Sequence, residues 1–204
     1  MLPKSRIFSV LLLGLGVALI AAGLAAPRFL DFEPRLPLDL EKTTWTLTDD
    51  SAKSQVVTGE GTSAYEGPMT YQLNMEMQDP SDDEKVTVRI GESAMRGDSG
   101  ELADLSMARV WSYPMDRLSG QALDDATLTH TLGSPTAKVT VDGNWMKFPA
   151  STEQTTYPVF DPYLRKAADA VFEEEMDIDG RTVYRFHQEV EPTNLATLYP
   201  GQTT

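Results

Sequence analysis

Met69-Thr70-Tyr71-Gln72-Leu73-Asn74-Met75-Glu76-Met77-Gln78 is the stretch that decides the fold. Its odd positions are apolar and its even positions polar. A period of two puts Met69, Tyr71, Leu73, Met75 and Met77 on one face, as in a half-buried strand of an antiparallel sheet. Asp79-Pro80-Ser81-Asp82-Asp83 follows as a turn signal. Residues 85–95 read as the returning strand, with Val86, Val88 and Ile90 inward, and residues 103–113 as a third strand. Upstream, Thr43-Thr44-Trp45-Thr46-Leu47-Thr48 is β-branched and aromatic and runs into Asp49-Asp50, a second turn signal. Downstream, residues 137–141, 145–148, 169–176 and 181–190 complete the series. Asp179-Gly180 sits where a two-residue hairpin turn needs left-handed backbone. Residues 101–105 and 162–170 suit short helices. No segment has a long helical stripe, and there is no internal repeat or low-complexity tract. The expectation is a β-dominated domain, a curved antiparallel sheet with one or two short helices.

The first 35 residues differ in composition. Lys4 and Arg6 precede IFSVLLLGLGVALIAAGLAA, an uncharged run at residues 7–26. Twenty helical residues span about 30 Å, the thickness of a bilayer's hydrocarbon core. The run exceeds the h-region of a cleaved signal peptide, and its exit, Gly23-Leu24-Ala25-Ala26-Pro27, is a poor cleavage site. An uncleaved signal anchor is therefore expected, ahead of a cleaved signal peptide and of a soluble core helix, which would need a polar face. Lys4 and Arg6 favour a cytoplasmic N-terminus, although Arg28 and Arg35 weaken the asymmetry. The organisation that follows is a basic flank at 1–6, a transmembrane helix at 7–26, a Pro-rich stalk at 27–41 and an exported β-rich domain at 42–204. The expected location is the cell membrane, single-pass, with the main domain extracytoplasmic.

Charge and composition exclude several classes. The 204 residues hold 17 Lys and Arg against 31 Asp and Glu, a formal net charge of −14. Nucleic-acid binding needs clustered cations and is excluded as a function. Electrostatic adhesion to anionic headgroups is disfavoured for the same reason. With no Cys and 2 His, disulfides, thiolate sites and a zinc enzyme lack their ligands. At 41% hydrophobic the chain is able to bury a core.

Residue clusters with chemical potential are few. Asp79, Asp82, Asp83 and Glu84 form an acidic loop able to bind calcium weakly, but without EF-hand spacing, so a solvated turn explains them better. Asp177-Ile178-Asp179-Gly180 begins like a calcium loop and reads as a hairpin turn. Glu173-Glu174-Glu175 would need a distant second carboxylate for acid–base work; a polar strand face is the simpler reading. His130 and His187 have no G-x-S-x-G to serve, and Ser119-Gly120 and Ser134-Pro135 are turn contexts. No phosphate or dinucleotide loop occurs. Met69, Met75 and Met77 fit a core, or alternatively a groove for an acyl chain. No catalytic, cofactor-binding or metal-ligating residue is assigned, no cofactor is expected, and the chain is not expected to be an enzyme.

One resemblance covers nearly the whole chain. It rests on Tyr113-Pro114-Met115-Asp116-Arg117-Leu118-Ser119-Gly120-Gln121-Ala122, on Asn144-Trp145-Met146-Lys147-Phe148-Pro149, on Thr156-Tyr157-Pro158-Val159-Phe160-Asp161-Pro162, on Ala167-Ala168, and on Asp179-Gly180-Arg181-Thr182-Val183-Tyr184-Arg185-Phe186. This order of motifs resembles the actinobacterial PorA porin family of envelope proteins. The resemblance implies a membrane-anchored, exported protein of bacteria with a complex envelope. It also implies a longer chain with a second apolar helix, so a fragment or a short member is expected. Tyr157-Pro158 and Asp161-Pro162 are read as turns, with Phe148, Tyr157 and Phe160 as apolar contacts.

No segment reads as a barrel strand with a lipid-facing band and aromatic girdles. The expected function is therefore non-enzymatic binding of a lipid, a glycolipid or a membrane-protein partner in envelope assembly or maintenance. The alternatives are the channel that the family name implies and a carbohydrate-active envelope enzyme using acidic residues.

Overall fold

A computed structural model describes residues 4–29, 35–40, 43–58, 61–97, 100–130 and 135–199. The chain divides into two compact units, residues 1–34 and 35–204.

The first unit is helix α1, Lys4–Phe29. The helix expected at residues 7–26 is present and runs longer at both ends. Within it, side chains are described without a break over residues 11–24, and these are exposed apart from Gly16, which is half-buried. Among the described residues no helix is long and apolar enough to cross a membrane.

The second unit is built from antiparallel strands. β1 (Thr43–Thr58), β2 (Gly61–Ser81), β3 (Lys85–Arg96), β4 (Leu105–Asp116), β5 (Ala126–Thr129) and β6 (Ala137–Val139) form a six-stranded sheet in chain order. β7 (Tyr157–Asp161), β8 (Lys166–Ile178) and β9 (Arg181–Gln188) form a three-stranded sheet. A 3-10 turn at Leu102–Asp104 and a short helix α2 at Leu195–Leu198 complete the described elements.

Alternation in the sequence becomes a two-faced sheet. On one face Leu73 pairs with Glu92, Met75 with Ile90 and Met77 with Val88, while on β4 Trp111 lies opposite Ile90 and Tyr113 opposite Val88. Val86, Val88, Ile90, Trp111, Met115 and Leu128 are fully buried there. The other face is polar: Asn74 Nδ2 donates to Thr44 Oγ1 at 2.9 Å, and Arg89 lies 3.6 Å from Glu76. A covering layer supplies Trp145 and Phe160, whose rings meet Trp111 edge-on at 5.3 and 5.8 Å. Trp145 also stacks on Tyr113 at 6.2 Å. Buried aromatics of this kind dominate the energetics of a core.

Four local expectations are corrected. Asp49-Asp50 is not a turn: β1 continues through it, with a register shift between Asp49 and Ala52 and Ser51 N donating to Asp49 Oδ1 at 2.9 Å. A bulge satisfies the same turn-forming side chain without reversing the chain. Residues 145–148 are not a strand but the loop that lays Trp145 over the sheet. Tyr157-Pro158 opens β7 instead of a turn; β7 is an edge strand, where a missing N–H is tolerated. Residues 162–170 hold no helix: Asp161 Oδ1 accepts from Tyr163 N and Leu164 N at 2.8 and 2.7 Å, closing a turn into β8. The Asp179-Gly180 hairpin is as expected, with Ile178 opposite Arg181 and φ of 54° and 75°.

β1 and β2 outrun the rest of the sheet. β3 pairs with β2 only from Met69 onward, so 52–58 and 61–67 stand as a two-stranded ribbon. Arg96 holds its base, donating to Ser54 Oγ at 3.0 Å, the Gln55 carbonyl at 2.7 Å and Ser106 Oγ at 3.1 Å.

Candidate functional site

The one buried carboxylate among the described residues is Glu92, 2% exposed, on the core face of β3. The parity that buries Val86, Val88 and Ile90 carries it inward. Tyr71 Oη donates to its Oε1 at 2.7 Å, Trp111 Nε1 to its Oε2 at 2.8 Å, and Arg109 Nη2 to its Oε1 at 3.2 Å. Arg109 Nε lies 3.2 Å from Oε2 but is not aligned to donate, and has no hydrogen-bond partner. Burial first, and then the bond to Glu92, push the Tyr71 phenol far above its ordinary range. Burial alone does the same for Tyr113, whose hydroxyl has no partner among the described residues.

Arg109 also carries the network across to the covering layer. Its guanidinium sits 4.3 Å above the Tyr163 ring and reaches the Pro162 carbonyl at 3.5 Å. A cation held between a carboxylate and an aromatic face is stabilised twice. Both oxygens of this carboxylate accept from protein donors, two on Oε1 and one on Oε2, so the cluster serves to join two layers.

A second convergence ties the quoted motifs together. Asp116 Oδ1 accepts from Leu118 N at 3.0 Å, Ser119 N at 2.6 Å and Ser119 Oγ at 2.8 Å. These bonds, the one from the Ser119 backbone foremost, hold its carboxyl below the usual range. Buried Asn144 donates from Nδ2 to the Ser119 and Lys147 carbonyls at 2.8 and 3.0 Å. Its backbone donates to Pro158 O at 2.9 Å and accepts from Phe160 N at 2.8 Å. Lys147 Nζ donates to Leu118 O and Phe148 O, and desolvation lowers its pKa against the opposing pull of Asp116. Gly120 and Gly143 have φ of +79° and +76°, and a Cβ there would fall 2.3 Å from Lys147 O and 2.4 Å from Pro158 O. Architecture accounts for every one of these residues.

The residues singled out in the sequence are dispersed. Asp82 Oδ1 caps its own turn, accepting from Glu84 N and Lys85 N at 2.9 Å each, while Asp79 Oδ1 accepts from Ser81 Oγ. The Lys85 amide, then the Glu84 amide, hold the Asp82 carboxyl below its usual value. Among the described residues no three His, Cys, Asp or Glu side chains converge as a metal site. Asp177 Oδ1 accepts from Gly180 N within the hairpin. Glu173 and Glu174 both take Arg185, at 2.8 Å each, because a register shift between Phe172 and Glu174 breaks the alternation. Glu175 accepts from Gln154 at 3.0 Å. His187 is exposed, 4.0 Å from Glu173, and His130 is half-buried. Ser119 serves the Asp116 turn, and Ser134 lies outside the described residues. Met75 is in the core and Met77 packs against it. Glu92 was not singled out in the sequence, yet extending the even-numbered inward series by one residue finds it.

The family model described as Porin PorA matches residues 8–204. The chain belongs to this family. Two curated relatives carry the same name, Porin PorA. One, from Corynebacterium resistens, is 27% identical over 225 residues, covering 93% of this chain and 54% of the relative. The other, from Corynebacterium amycolatum, is 24% identical over 135 residues, covering 63% of this chain and 35% of the relative. The chain thus spans about half or less of the length of these PorA relatives. Their name is that of a channel and not of an enzyme, and it implies an envelope or membrane location. It also corrects the expected function. Binding of a lipid, glycolipid or membrane-protein partner gives way to the channel, the alternative that the resemblance implies. A pore name does not require a lipid-facing band in this segment of the chain.

Proposed function

We propose that the chain belongs to a channel-forming protein of the bacterial envelope, with its β domain outside the membrane and its N-terminus on the cytoplasmic side. The observation that carries this reading is the family match over residues 8–204. The named relatives extend well beyond the matched region, so channel activity comes to this chain as a proposal, tested on this chain.

The membrane anchor is residues 7–26 of α1. Their uncharged run supports it, as do Leu11, Leu13, Val17, Leu19, Ile20 and Leu24, each more than 60% exposed on the helix. In water that surface has nothing to offset it, whereas lipid supplies an apolar solvent. Lys4 and Arg6 set the orientation.

The test is reconstitution of the full chain into planar bilayers. Discrete conductance steps, lost when residues 42–204 are deleted, are the expected result. A chain that co-floats with liposomes yet gives no conductance above the protein-free bilayer overturns the proposal.

A further inference from the structure

We infer that strand β1 is a self-pairing edge, through which two copies of this chain join their six-stranded sheets into one continuous antiparallel sheet. Among the described residues the segment 44–48 of β1 is paired within the sheet on the β2 side only, and β1 is the terminal strand. Its outer N–H and C=O groups are a template for another strand.

The occupant is argued from the strand's own sequence. Residues 43–48, TTWTLT, carry no charge and no proline in a chain of net charge −14. Like-charged copies repel over most of their surface, so they meet best where charge is absent. Trp45 and Leu47 lie opposite Leu73 and Tyr71 of β2, on the core face of the sheet. The covering layer does not reach them, and they remain 42% and 59% exposed.

Alternation and two-fold symmetry select the register. Side chains that meet across an antiparallel pair must share a face, so the two-fold axis passes through a residue. Centred on Thr46, the pairing sets Trp45 opposite Leu47 of the second copy, twice, and Thr44 opposite Thr48. Centred on Leu47 instead, Trp45 meets Asp49. Centred on Trp45, Leu47 meets Thr43. The Thr46 register alone gives every apolar side chain an apolar neighbour. It also separates the two Asp49 carboxylates by six residues of strand, about 20 Å, beyond the screening length of about 8 Å at physiological salt. The bulge at Asp49–Ala52 ends the flat edge and limits pairing to this segment. Edge pairing of this kind closes at two copies, since each β1 has one outer edge.

The absence of cysteine makes the test clean. The full chain in detergent micelles is prepared as Thr46→Cys, Thr44→Cys and Leu123→Cys, and oxidised with copper phenanthroline in air. At the symmetry centre the two Cα atoms lie about 4.5–5.5 Å apart, within disulfide reach. Two Thr44 positions are about 14 Å apart. The expected result is a covalent dimer from Thr46→Cys at least tenfold faster than from either other site. Equal rates at the three sites overturn the inference, as does no dimer from a Thr46→Cys chain with unchanged near-ultraviolet circular dichroism. A cysteine-free measurement stands beside it: wild type sediments as a dimer and Leu47→Lys as a monomer, and a monomeric wild type overturns the inference. This inference does not rest on the channel reading. A cross-linked dimer without conductance leaves edge pairing standing alone, and conductance without the dimer does the reverse.

Discussion

Trp111 Nε1 donates to Glu92 Oε2 at 2.8 Å on a diagonal, because Trp111 lies opposite Ile90 in the strand register and Glu92 lies opposite Arg109. The carboxylate on β3 is thus held from both neighbouring strands, by Tyr71 of β2 and by Arg109 and Trp111 of β4. Glu92→Leu leaves the Arg109 charge buried without its partner, and should cost about 3–5 kcal/mol of unfolding free energy. Glu92→Gln keeps the size and loses the charge, and should cost less, about 1–3 kcal/mol. The double variant Glu92→Leu/Arg109→Met should recover much of the loss. Urea unfolding of these four proteins and of Arg109→Met measures the values, and an additive double variant would count against the ion-pair argument.

Gly120 and Gly143 hold the motif loops against each other. Gly120→Ala and Gly143→Ala each force a left-handed side chain into a carbonyl oxygen, and should each cost at least about 2 kcal/mol. Gly91→Ala is the control, since its Cβ would find Asn74 Cβ at 4.0 Å, an ordinary contact. It should be neutral or slightly stabilising, as a strand glycine is entropically costly. Thermal melts of the three variants decide it.

Stability should fall at both ends of the pH range. The carboxyls of Asp82 and Asp116 titrate lower in the folded state than in the unfolded one, so their contribution is present above pH about 4 and is lost as acid protonates the folded groups. Tyr71 and Tyr113 titrate higher when folded. Above pH about 10 the unfolded phenols release protons that the folded ones keep, and stability drops. Lys147 works in the opposite direction at alkaline pH, because its folded pKa is lowered. Tyr71→Phe should flatten the alkaline limb in unfolding curves taken from pH 8 to 11, and an unchanged slope would remove Tyr71 from the account.

If the protein conducts, its 31 acidic residues against 17 basic ones bias the local potential toward cations. The reversal potential in a salt gradient should move toward the cation equilibrium value. That preference should weaken at high ionic strength, as the charges are screened.

The sequence made the alternating strands readable because one face of each is buried and the other is wet. Val86, Val88 and Ile90 declare β3, and Asp179-Gly180 declares its hairpin. What stayed hidden depends on tertiary pairing. Pro158 speaks for a turn until β7 is known to be an edge. Trp145 and Phe148 look like strand residues, but their burial comes from lying across a sheet. Asp49-Asp50 carries turn chemistry that a bulge uses equally well. The channel reading was legible only through the resemblance, since no strand pattern here encodes a pore. Glu92 was legible by parity alone, and an inward charge on an otherwise apolar series is the signal to look for.

Where the chain enters the β domain, Leu36 and Arg117 exchange two bonds, Leu36 N to Arg117 O at 2.9 Å and Arg117 Nε to Leu36 O at 2.8 Å. Arg35 and Arg117 add donations to the Asp83 and Asp82 carbonyls at 2.6 and 2.7 Å. Tension applied through the chain before Leu36 reaches the domain at the end of β4, in the middle of the sheet, and not at β1. A pull on the chain from its N-terminal side therefore loads the sheet at its middle, and β1 is not the first strand to be peeled.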